Sequence, residues 1–368
     1  MEAAVAYYQG TGKRKLLDVL CRYADYIGSV FGPGEGQKRG YPGHEEIELA
    51  LVKLYHATGE SRYLDLAKFF VDERGREPHY FDIEAVARGE EPEGSASYDY
   101  NQSHLPVREQ TTAEGHAVRA MYLYSGMADV AAETGDEALL AACEALWRNT
   151  TERRMYITGG VGSSAKGERF SYDYDLPNDI AYAETCAAIG LVFWAHRMLQ
   201  FDGDGRYADV MERALYNGVL SGISLDGRTF FYSNPLEVDP AAHENRPDLF
   251  PSAAMSARRQ GWFSCACCPP NIARMLASLG DYAYSTGEGE LCVHLYAGGR
   301  AKVTLDGLRV ALTQDTRYPW DGEEGLTVQP EREAGFALAL RVPGWCAEAG
   351  IEVNGEPVDT APLMRRGY

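Results

Sequence analysis

Several features that mark whole classes of protein are absent from this chain of 368 residues. No apolar run approaches the ~20 residues that a membrane-spanning helix needs. Basic residues are few, since 35 Lys and Arg stand against 54 Asp and Glu, for a net charge of −19. Because phosphate binding needs clustered Lys and Arg, this balance argues against a nucleic acid or an anionic membrane as partner. The first residues, MEAAVAYYQGTGKRKLLDVL, lack the pattern of a signal peptide, so we expect a cytoplasmic protein.

Cysteine and phenylalanine are also scarce, with 8 and 12 residues, whereas tyrosine is abundant, with 24. The amphipathic ring of tyrosine suits sugar-like ligands, which offer apolar faces and hydroxyl edges. Scattered cysteines among apolar residues are typical of buried thiols rather than of a disulfide framework. Five cysteines fit that description: Cys21, Cys143, Cys186, Cys292 and Cys346. The composition favours a globular protein kept in a reducing compartment.

The hydrophobic period divides the chain into two domains. From residue 2 to about residue 285 the period is helical, with short TGE, TGD and DGD turns between successive segments and a polar loop expected at residues 74–104. Antiparallel helix pairs arranged in a ring make an α/α toroid. After residue 288 the period becomes two, which predicts strands. The predicted fold is therefore mainly α, with a helical domain at residues 1–287 and a β-sandwich domain at residues 288–368.

Both predicted domains fall short of a complete architecture. We count roughly nine helical segments, against the roughly twelve of a complete six-pair toroid. The strands after residue 288 are too few to close a sandwich. We therefore expect an (α/α)6 barrel that is incomplete at the N-terminus, followed by the start of a β-sandwich.

Three of the cysteines lie within four positions, in the stretch GWFSCACCPPN at residues 261–271. Two prolines suit the first turn of a helix, so a helix is predicted to begin directly after Cys267 and Cys268. A helix N-terminus stabilises a thiolate over a thiol, and a disulfide between adjacent cysteines is strained. Metal ligation or nucleophilic catalysis is therefore favoured over a structural role. Cys265 has no predicted role.

A second pair of metal-binding residue types, Glu184 and Cys186, lies in the apolar stretch AYAETCAAIG. A carboxylate in such surroundings needs a partner. Residues i and i+2 do not share a helix face, so joint ligation requires a helix start or a distortion here. With Cys267 and Cys268 they would make a Cys3Glu site, and soft thiolates favour zinc. A buried glutamate paired with an arginine or a hydroxyl is the equal alternative from spacing alone.

Carboxylates and histidines provide further candidates for chemistry. The loop GGVGSSAKGERFSYDYDLPND presents Glu168, Asp173 and Asp175 among tyrosines, and glycoside hydrolysis uses a carboxyl group that stays protonated to serve the leaving oxygen. Two histidines, His44 and His116, follow glycine near predicted helix starts, where they could hydrogen-bond sugar hydroxyls. A solvated acidic loop and structural histidines are the commoner alternatives.

Four motifs taken in order resemble the β-L-arabinofuranosidases of glycoside hydrolase family 127. They are PVREQTTAEGHAVRAMYLYSGMADVA, YITGGVGS with GERFSYDYDLPNDIAYAETCA, FFYSNPLE, and WFSCACCPPNIARMLASLGDYAYS. The resemblance implies an (α/α)6 barrel followed by β-sandwich domains, a catalytic zinc ion and a retaining mechanism with a cysteine nucleophile. By position, it implies that Cys267 is the nucleophile and Glu168 the general acid/base. Further metal ligands and sugar contacts implied by the resemblance are Glu184, Cys186 and Cys268 for zinc, and His44, His116 and Tyr232 for the sugar. Glu184 could also contact the sugar, because a carboxylate oxygen that is not on zinc can accept from a hydroxyl.

The function predicted from this resemblance is a retaining glycosidase that releases β-L-arabinofuranose from small oligosaccharides or glycosides. A carbohydrate-binding or scaffold protein with a structural Cys3Glu zinc site is the main alternative, because structural zinc sites are closed by four protein ligands. A sugar epimerase or lyase on a toroid would instead rely on histidine and tyrosine. An incomplete β-sandwich often forms contacts with another chain, so a homo-oligomer is a further possibility.

Overall fold

The computed structural model describes residues 1–92, 94–95, 97–246, 248 and 254–368. Within these residues the chain divides into two compact units. The first unit comprises Met1–Arg197 and Ala214–Ala266, and the second comprises Met198–Arg213 and Cys267–Tyr368. The predicted domain boundaries at residues 287 and 288 stay a prediction.

Helices make up most of the regular structure, as the sequence predicts. Their bounds in the described residues are α1 Glu2–Thr11, α2 Lys15–Val30, α3 Ile47–Thr58, α4 Ser61–Glu73, α5 Tyr80–Arg88, α6 Ala117–Thr134, α7 Glu137–Arg153, α8 Thr185–Asp202, α9 Gly205–Ala214, α10 Pro240–Asn245, α11 Cys268–Ala277 and α12 Gly280–Ala283. The prediction of a mainly α chain is confirmed by these elements.

Short glycine turns join the successive helices of the first unit. Gly59 closes α3 and Gly135 closes α6 in the left-handed conformation, with φ of 74° and 65°. Only glycine adopts this conformation without cost, which explains the TGE and TGD turns of the sequence. Asp136 then caps α7, since its carboxylate accepts from the amide of Leu139 at 2.9 Å. A turn this short makes the two helices antiparallel neighbours.

The core of the first unit depends on close helix approach around α6. A Cβ added at Gly126 would lie 2.7 Å from the Cβ of Glu48 on α3, and one at Gly190 of α8 would lie 2.7 Å from the Cβ of Met121. Both glycines therefore let neighbouring helices come closer than any larger residue allows. Trp194 lies fully buried in this core, with its ring centroid 5.0 Å from that of Trp147.

Two parts of the first unit differ from the sequence prediction. Residues 80–88 form α5 inside the expected loop at 74–104, with Tyr80 and Ala85 buried. Helix α8 begins at Thr185, inside the apolar stretch AYAETCAAIG rather than before it. The delay has a tertiary cause, because the amide of Thr185 donates to the carbonyl of Tyr232 at 2.9 Å and the amide of Leu236 donates to the carbonyl of Asn178. Long-range pairing thus keeps residues 178–184 outside the helix.

Strands occupy the C-terminal part of the chain, in the second unit. They are β1 Tyr284–Gly287, β2 Glu290–Val293, β3 Gly299–Leu305, β4 Leu308–Thr316, β5 Glu324–Pro330, β6 Ala337–Leu340, β7 Ile351–Val353 and β8 Glu356–Val358. They form a sheet of order β1-β2-β6, a sheet of order β3-β4-β5 and the hairpin β7-β8. Among the strands that the structure describes, β2 and β6 are the only parallel pair.

Two of the β-turns can be understood directly from their residues. Asp306-Gly307 joins β3 to β4 with φ of 48° and 80°, and Asn354-Gly355 joins β7 to β8 with φ of 55° and 84°. Two positive φ values define the turn type that matches the twist of a two-residue hairpin. The two three-stranded sheets share an apolar core that includes Leu291, Val293, Tyr296, Leu308, Val310 and Leu312. This arrangement agrees with the predicted start of a β domain.

Among the described residues, no helix combines the length and the apolar character that crossing a bilayer requires.

Candidate active site

The carboxyl group of Glu168 is held at both oxygens. Its Oε1 accepts from the hydroxyl of Tyr182 at 2.7 Å, and its Oε2 lies 2.8 Å from Nε2 of His116. The other ring nitrogen of His116, Nδ1, accepts from the backbone amide of Arg119 at 3.4 Å, which leaves Nε2 as the nitrogen that donates to Glu168. Glu168 has a φ of 50°, which is uncommon for a residue other than glycine. The carboxyl group is therefore fixed in one orientation.

His116 lies at the start of α6, where the sequence predicts a helix. It is the N-cap residue of α6 and is 6% exposed. The preceding loop is tied down by Gln102, whose side-chain amide donates to the carbonyls of Glu114 and His116 at 2.8 and 3.2 Å. Gly115 has a φ of 73°, and a Cβ there would lie 1.8 Å from the carbonyl oxygen of Asp99. The ring of His116 is thus positioned by a loop that tolerates little change.

His44 lies beside His116, in the turn before α3. The two ring centroids are 6.2 Å apart. Arg119 donates to the carbonyl of Gly43 at 2.6 Å, which ties this turn to the first turn of α6. Burial lowers the pKa of His44, so the ring is neutral near neutral pH. A neutral ring can both donate to and accept from a sugar hydroxyl.

The buried guanidinium group of Arg74 also contacts the turn that carries His44. Arg74 is fully buried, lies 2.8 Å from Oε1 of Glu45 and donates to the carbonyl of Pro42 at 2.7 Å. Burial raises the pKa of Glu45 to about 8, although Arg74 acts in the opposite direction. Two arginines therefore hold the backbone before His44, at Pro42 and Gly43.

Glu184 directly precedes α8, which answers the question that the i, i+2 spacing raised. It is 2% exposed, and Cys186 is the second residue of the helix and equally buried. Glu184 lies outside the helix and Cys186 inside its first turn, so the two side chains are not bound to opposite helix faces. The helix start that the i, i+2 spacing requires is therefore present. One ligand atom each of His116, Glu168 and Glu184 lie within 4.8 Å of one another. The structure thus brings three of the predicted site residues together.

Tyr232 adjoins this group. Its ring centroid lies 6.2 Å from that of Tyr182 and 5.9 Å from that of Phe263. Its carbonyl accepts from the amide of Thr185, next to Glu184. The aromatic residues place an amphipathic surface beside the carboxylates, which is the kind of lining that a sugar ring contacts.

Cys267 and Cys268 lie at the predicted helix start. Cys267 is the N-cap residue of α11, Cys268 is its first residue, and the prolines follow in the first turn. The two Sγ atoms are 3.6 Å apart, with Cys268 buried and Cys267 half-buried. Cys265 is exposed. The roles of Glu184, Cys186, Cys267 and Cys268 as metal ligands stay a prediction.

The sequence missed two features of this region. In the sequence Tyr182 looks like one more apolar residue before Glu184. No local sequence pattern indicates its hydrogen bond to Glu168, which is 14 residues away. Asp173 was a candidate for acid/base chemistry, but it is an ion-pair anchor instead. Its carboxylate accepts from Arg154 at 2.7 Å and from Arg153 at 3.1 Å. The hydrogen bond from Arg154 is the main reason that the pKa of Asp173 falls to about 2.

Family models match both parts of the chain. Residues 1–281 match the model of the β-L-arabinofuranosidase GH127 catalytic domain, and residues 290–367 match that of the GH127 middle domain. A non-reducing end β-L-arabinofuranosidase from Bifidobacterium longum subsp. longum is 42% identical over 367 residues, which are 97% of this chain and 55% of that protein. The chain thus spans about half the length of this relative.

Solved structures give the same result. A GH127 β-L-arabinofuranosidase from Geobacillus stearothermophilus T6 superposes with a TM-score of 0.95 at 59% identity, covering 100% of this chain and 57% of that one. A second GH127 β-arabinofuranosidase superposes with a TM-score of 0.86 at 41% identity, covering 100% of this chain and 55% of the other. These matches confirm the predicted fold class, an (α/α)6 barrel with a β domain. The chain belongs to glycoside hydrolase family 127.

Proposed function

We propose that this protein is a retaining glycoside hydrolase that releases β-L-arabinofuranose from arabinofuranosides. Membership of the family and the name of the Bifidobacterium longum relative support the substrate class. The observation that carries the catalytic part of the proposal is the carboxyl group of Glu168, held by His116 and Tyr182 beside Glu184. A scaffold protein with a structural metal has no use for a carboxyl group fixed in this way.

Glu168 serves as general acid and then as general base in this proposal. In the first step it gives its proton to the glycosidic oxygen as the bond from that oxygen to the anomeric carbon breaks, and the thiolate of Cys267 forms a bond to the same carbon. In the second step the Glu168 carboxylate takes a proton from water. The water oxygen then bonds to the anomeric carbon, and the carbon–sulfur bond breaks to restore the thiolate. Two displacements at one carbon retain its configuration.

Cys267 is suited to this role by its place at the N-terminus of α11, where the helix dipole favours the thiolate. We propose that Glu184, Cys186, Cys267 and Cys268 bind a zinc ion, because three thiolates and one carboxylate are a donor set that zinc accepts. Bound zinc keeps a coordinating thiol deprotonated near neutral pH. His44, His116 and Tyr232 would contact sugar hydroxyls, as the resemblance implies, and a Glu184 oxygen that is not on the metal could accept from a further hydroxyl.

The test is hydrolysis of a panel of aryl furanosides and pyranosides, with the configuration of the first product followed by NMR. We expect release of β-L-arabinofuranose, loss of turnover in the Cys267→Ala variant and a stalled reaction in the Glu168→Gln variant. Cys265→Ala is the matched control and should retain activity, because Cys265 has no role in the mechanism. Near wild-type turnover by Cys267→Ala would show that the nucleophile is assigned wrongly.

The metal is tested separately on protein prepared without chelators. We expect about one zinc per chain by elemental analysis, since four protein ligands make a closed site. Less than about half an equivalent in such a preparation would contradict the zinc proposal.

A further inference from the structure

Two tyrosines beside the Glu168 loop are strongly exposed, although the residue between them is held by several hydrogen bonds. Tyr172 and Tyr174 are 71% and 70% exposed. We propose that their side chains form an acceptor platform, a surface on which the leaving-group sugar of an oligosaccharide stacks during hydrolysis. The proposal rests on the proposed glycosidase function and extends it to the part of the substrate that departs.

The segment that carries the two rings is anchored by Asp173. The carboxylate of Asp173 accepts from Arg154 at 2.7 Å, from Asn149 at 3.0 Å and from Arg153 at 3.1 Å. The backbone amide of Tyr174 also donates to the carbonyl of Arg153 at 2.9 Å. These bonds account for the ionised state of Asp173, whose pKa the hydrogen bond from Arg154 lowers to about 2. A surface segment with this many bonds is ordered before a ligand arrives, which reduces the entropy that binding costs.

The anchor also places the tyrosines near the proposed acid/base. Arg154 donates to the carbonyl of Ala113 at 2.6 Å, and Ala113 is three residues before His116. His116 in turn contacts Glu168. Along the chain, Tyr172 follows Glu168 by four residues, so their Cα atoms are at most ~14 Å apart. All of these groups lie in the first compact unit.

The chemistry of the reaction says which part of the substrate meets this surface. Glu168 protonates the glycosidic oxygen, so the leaving sugar lies on the side of the site from which Glu168 acts. A sugar ring has an apolar face of C–H bonds, and an exposed aromatic ring can stack on that face while its hydroxyl stays in water. Two such rings on a rigid segment within reach of Glu168 fit a saccharide of one or a few units.

The test compares two substrates that share the reacting sugar. One is a disaccharide with β-L-arabinofuranose at its non-reducing end, and the other is the methyl β-L-arabinofuranoside, which has no leaving sugar. We expect Tyr172→Ala and Tyr174→Ala each to lower kcat/KM for the disaccharide by about three- to tenfold and to leave the methyl glycoside unchanged. Tyr26→Ala on α2 is the matched control, since Tyr26 is 64% exposed and far along the chain from the site. It should affect neither substrate.

A binding experiment separates failure of the platform from failure of the proposed function. The probe is the same disaccharide with sulfur in place of its glycosidic oxygen, which resists hydrolysis, and its binding is followed by saturation-transfer NMR. Weaker binding by the double tyrosine variant supports the platform even if the wild-type chain hydrolyses neither substrate. The proposal would be overturned if the tyrosine variants lost kcat/KM equally on both substrates or bound the probe as well as the wild type. A change in oligomeric state alone would also overturn it.

Discussion

The stability of the second unit is expected to fall sharply between pH 6.5 and pH 4 because of one buried histidine. His294 is 2% exposed, and its ring nitrogens lie 2.7 Å from the hydroxyl of Ser285 and 2.5 Å from that of Tyr368. Burial, with a smaller effect of Arg341, lowers the pKa of His294 from 6.5 to about 4. The ring of His294 is therefore neutral in the folded state above about pH 4.

The direction and the size of this change in the free energy of unfolding follow from proton binding. Above pH 6.5 the ring is neutral in both states, and the full stability is present. Between pH 6.5 and about 4 the unfolded chain binds a proton that the folded chain does not, so the free energy of unfolding falls by up to about 1.4 kcal/mol per pH unit. Below pH 4 both states are protonated and the loss is complete, at about 3 kcal/mol.

The assay is hydrogen exchange followed by mass spectrometry. Exchange in peptides from β1 and β2 gives the free energy of unfolding of this part of the second unit. Exchange must be corrected for the intrinsic rate at each pH. The variant His294→Gln should be less stable at pH 7 but should lose much less stability on acidification, because its amide does not titrate. His56→Gln, which removes an exposed histidine of α3, should keep the wild-type slope. The reasoning is refuted if wild-type protein and His294→Gln show the same slope between pH 6.5 and 4.

Other predictions concern single side chains. Gly115→Ala brings a Cβ within 1.8 Å of the Asp99 carbonyl oxygen, so we expect a loss of roughly 2 kcal/mol or more and a lower Tm; an unchanged Tm would contradict the close approach. Arg341→Met removes a fully buried cation from two carboxylates of α9 and should cost about 3–5 kcal/mol in urea unfolding, whereas an unchanged midpoint would exclude that role. Tyr182→Phe removes the 2.7 Å bond to Glu168 and should lower kcat on the methyl glycoside about tenfold with little change in KM; unchanged kcat would rule out a positioning role.

Some features of the fold were predictable because their causes are local. The glycine turns at Gly59 and Gly135 and the hairpin at Asp306-Gly307 each follow from the backbone conformation that one or two residues allow. The helix start beside Cys267 follows from the two prolines. The family was likewise predictable, because its motifs are short stretches in a fixed order.

Other features could not be predicted from short-range patterns. Helix α5 lies where polarity indicated a loop, because burial of Tyr80 and Ala85 against other parts of the unit decides its formation. Asp173 resembled a catalytic carboxylate, but three side chains from a different segment make it an anchor. The cytoplasmic location and the roles of the individual site residues stay predictions.

The sequence by itself determined the order of the elements, the class of each half and the family, since propensity, periodicity and turn chemistry act over a few residues. Only the tertiary structure decided what surrounds Glu168. Its partners His116 and Tyr182 are 52 and 14 residues away along the chain, and the start of α8 at Thr185 depends on a bond to Tyr232. The physical reason is that hydrogen-bond partners and buried charges are selected by packing, which joins residues that no local pattern connects.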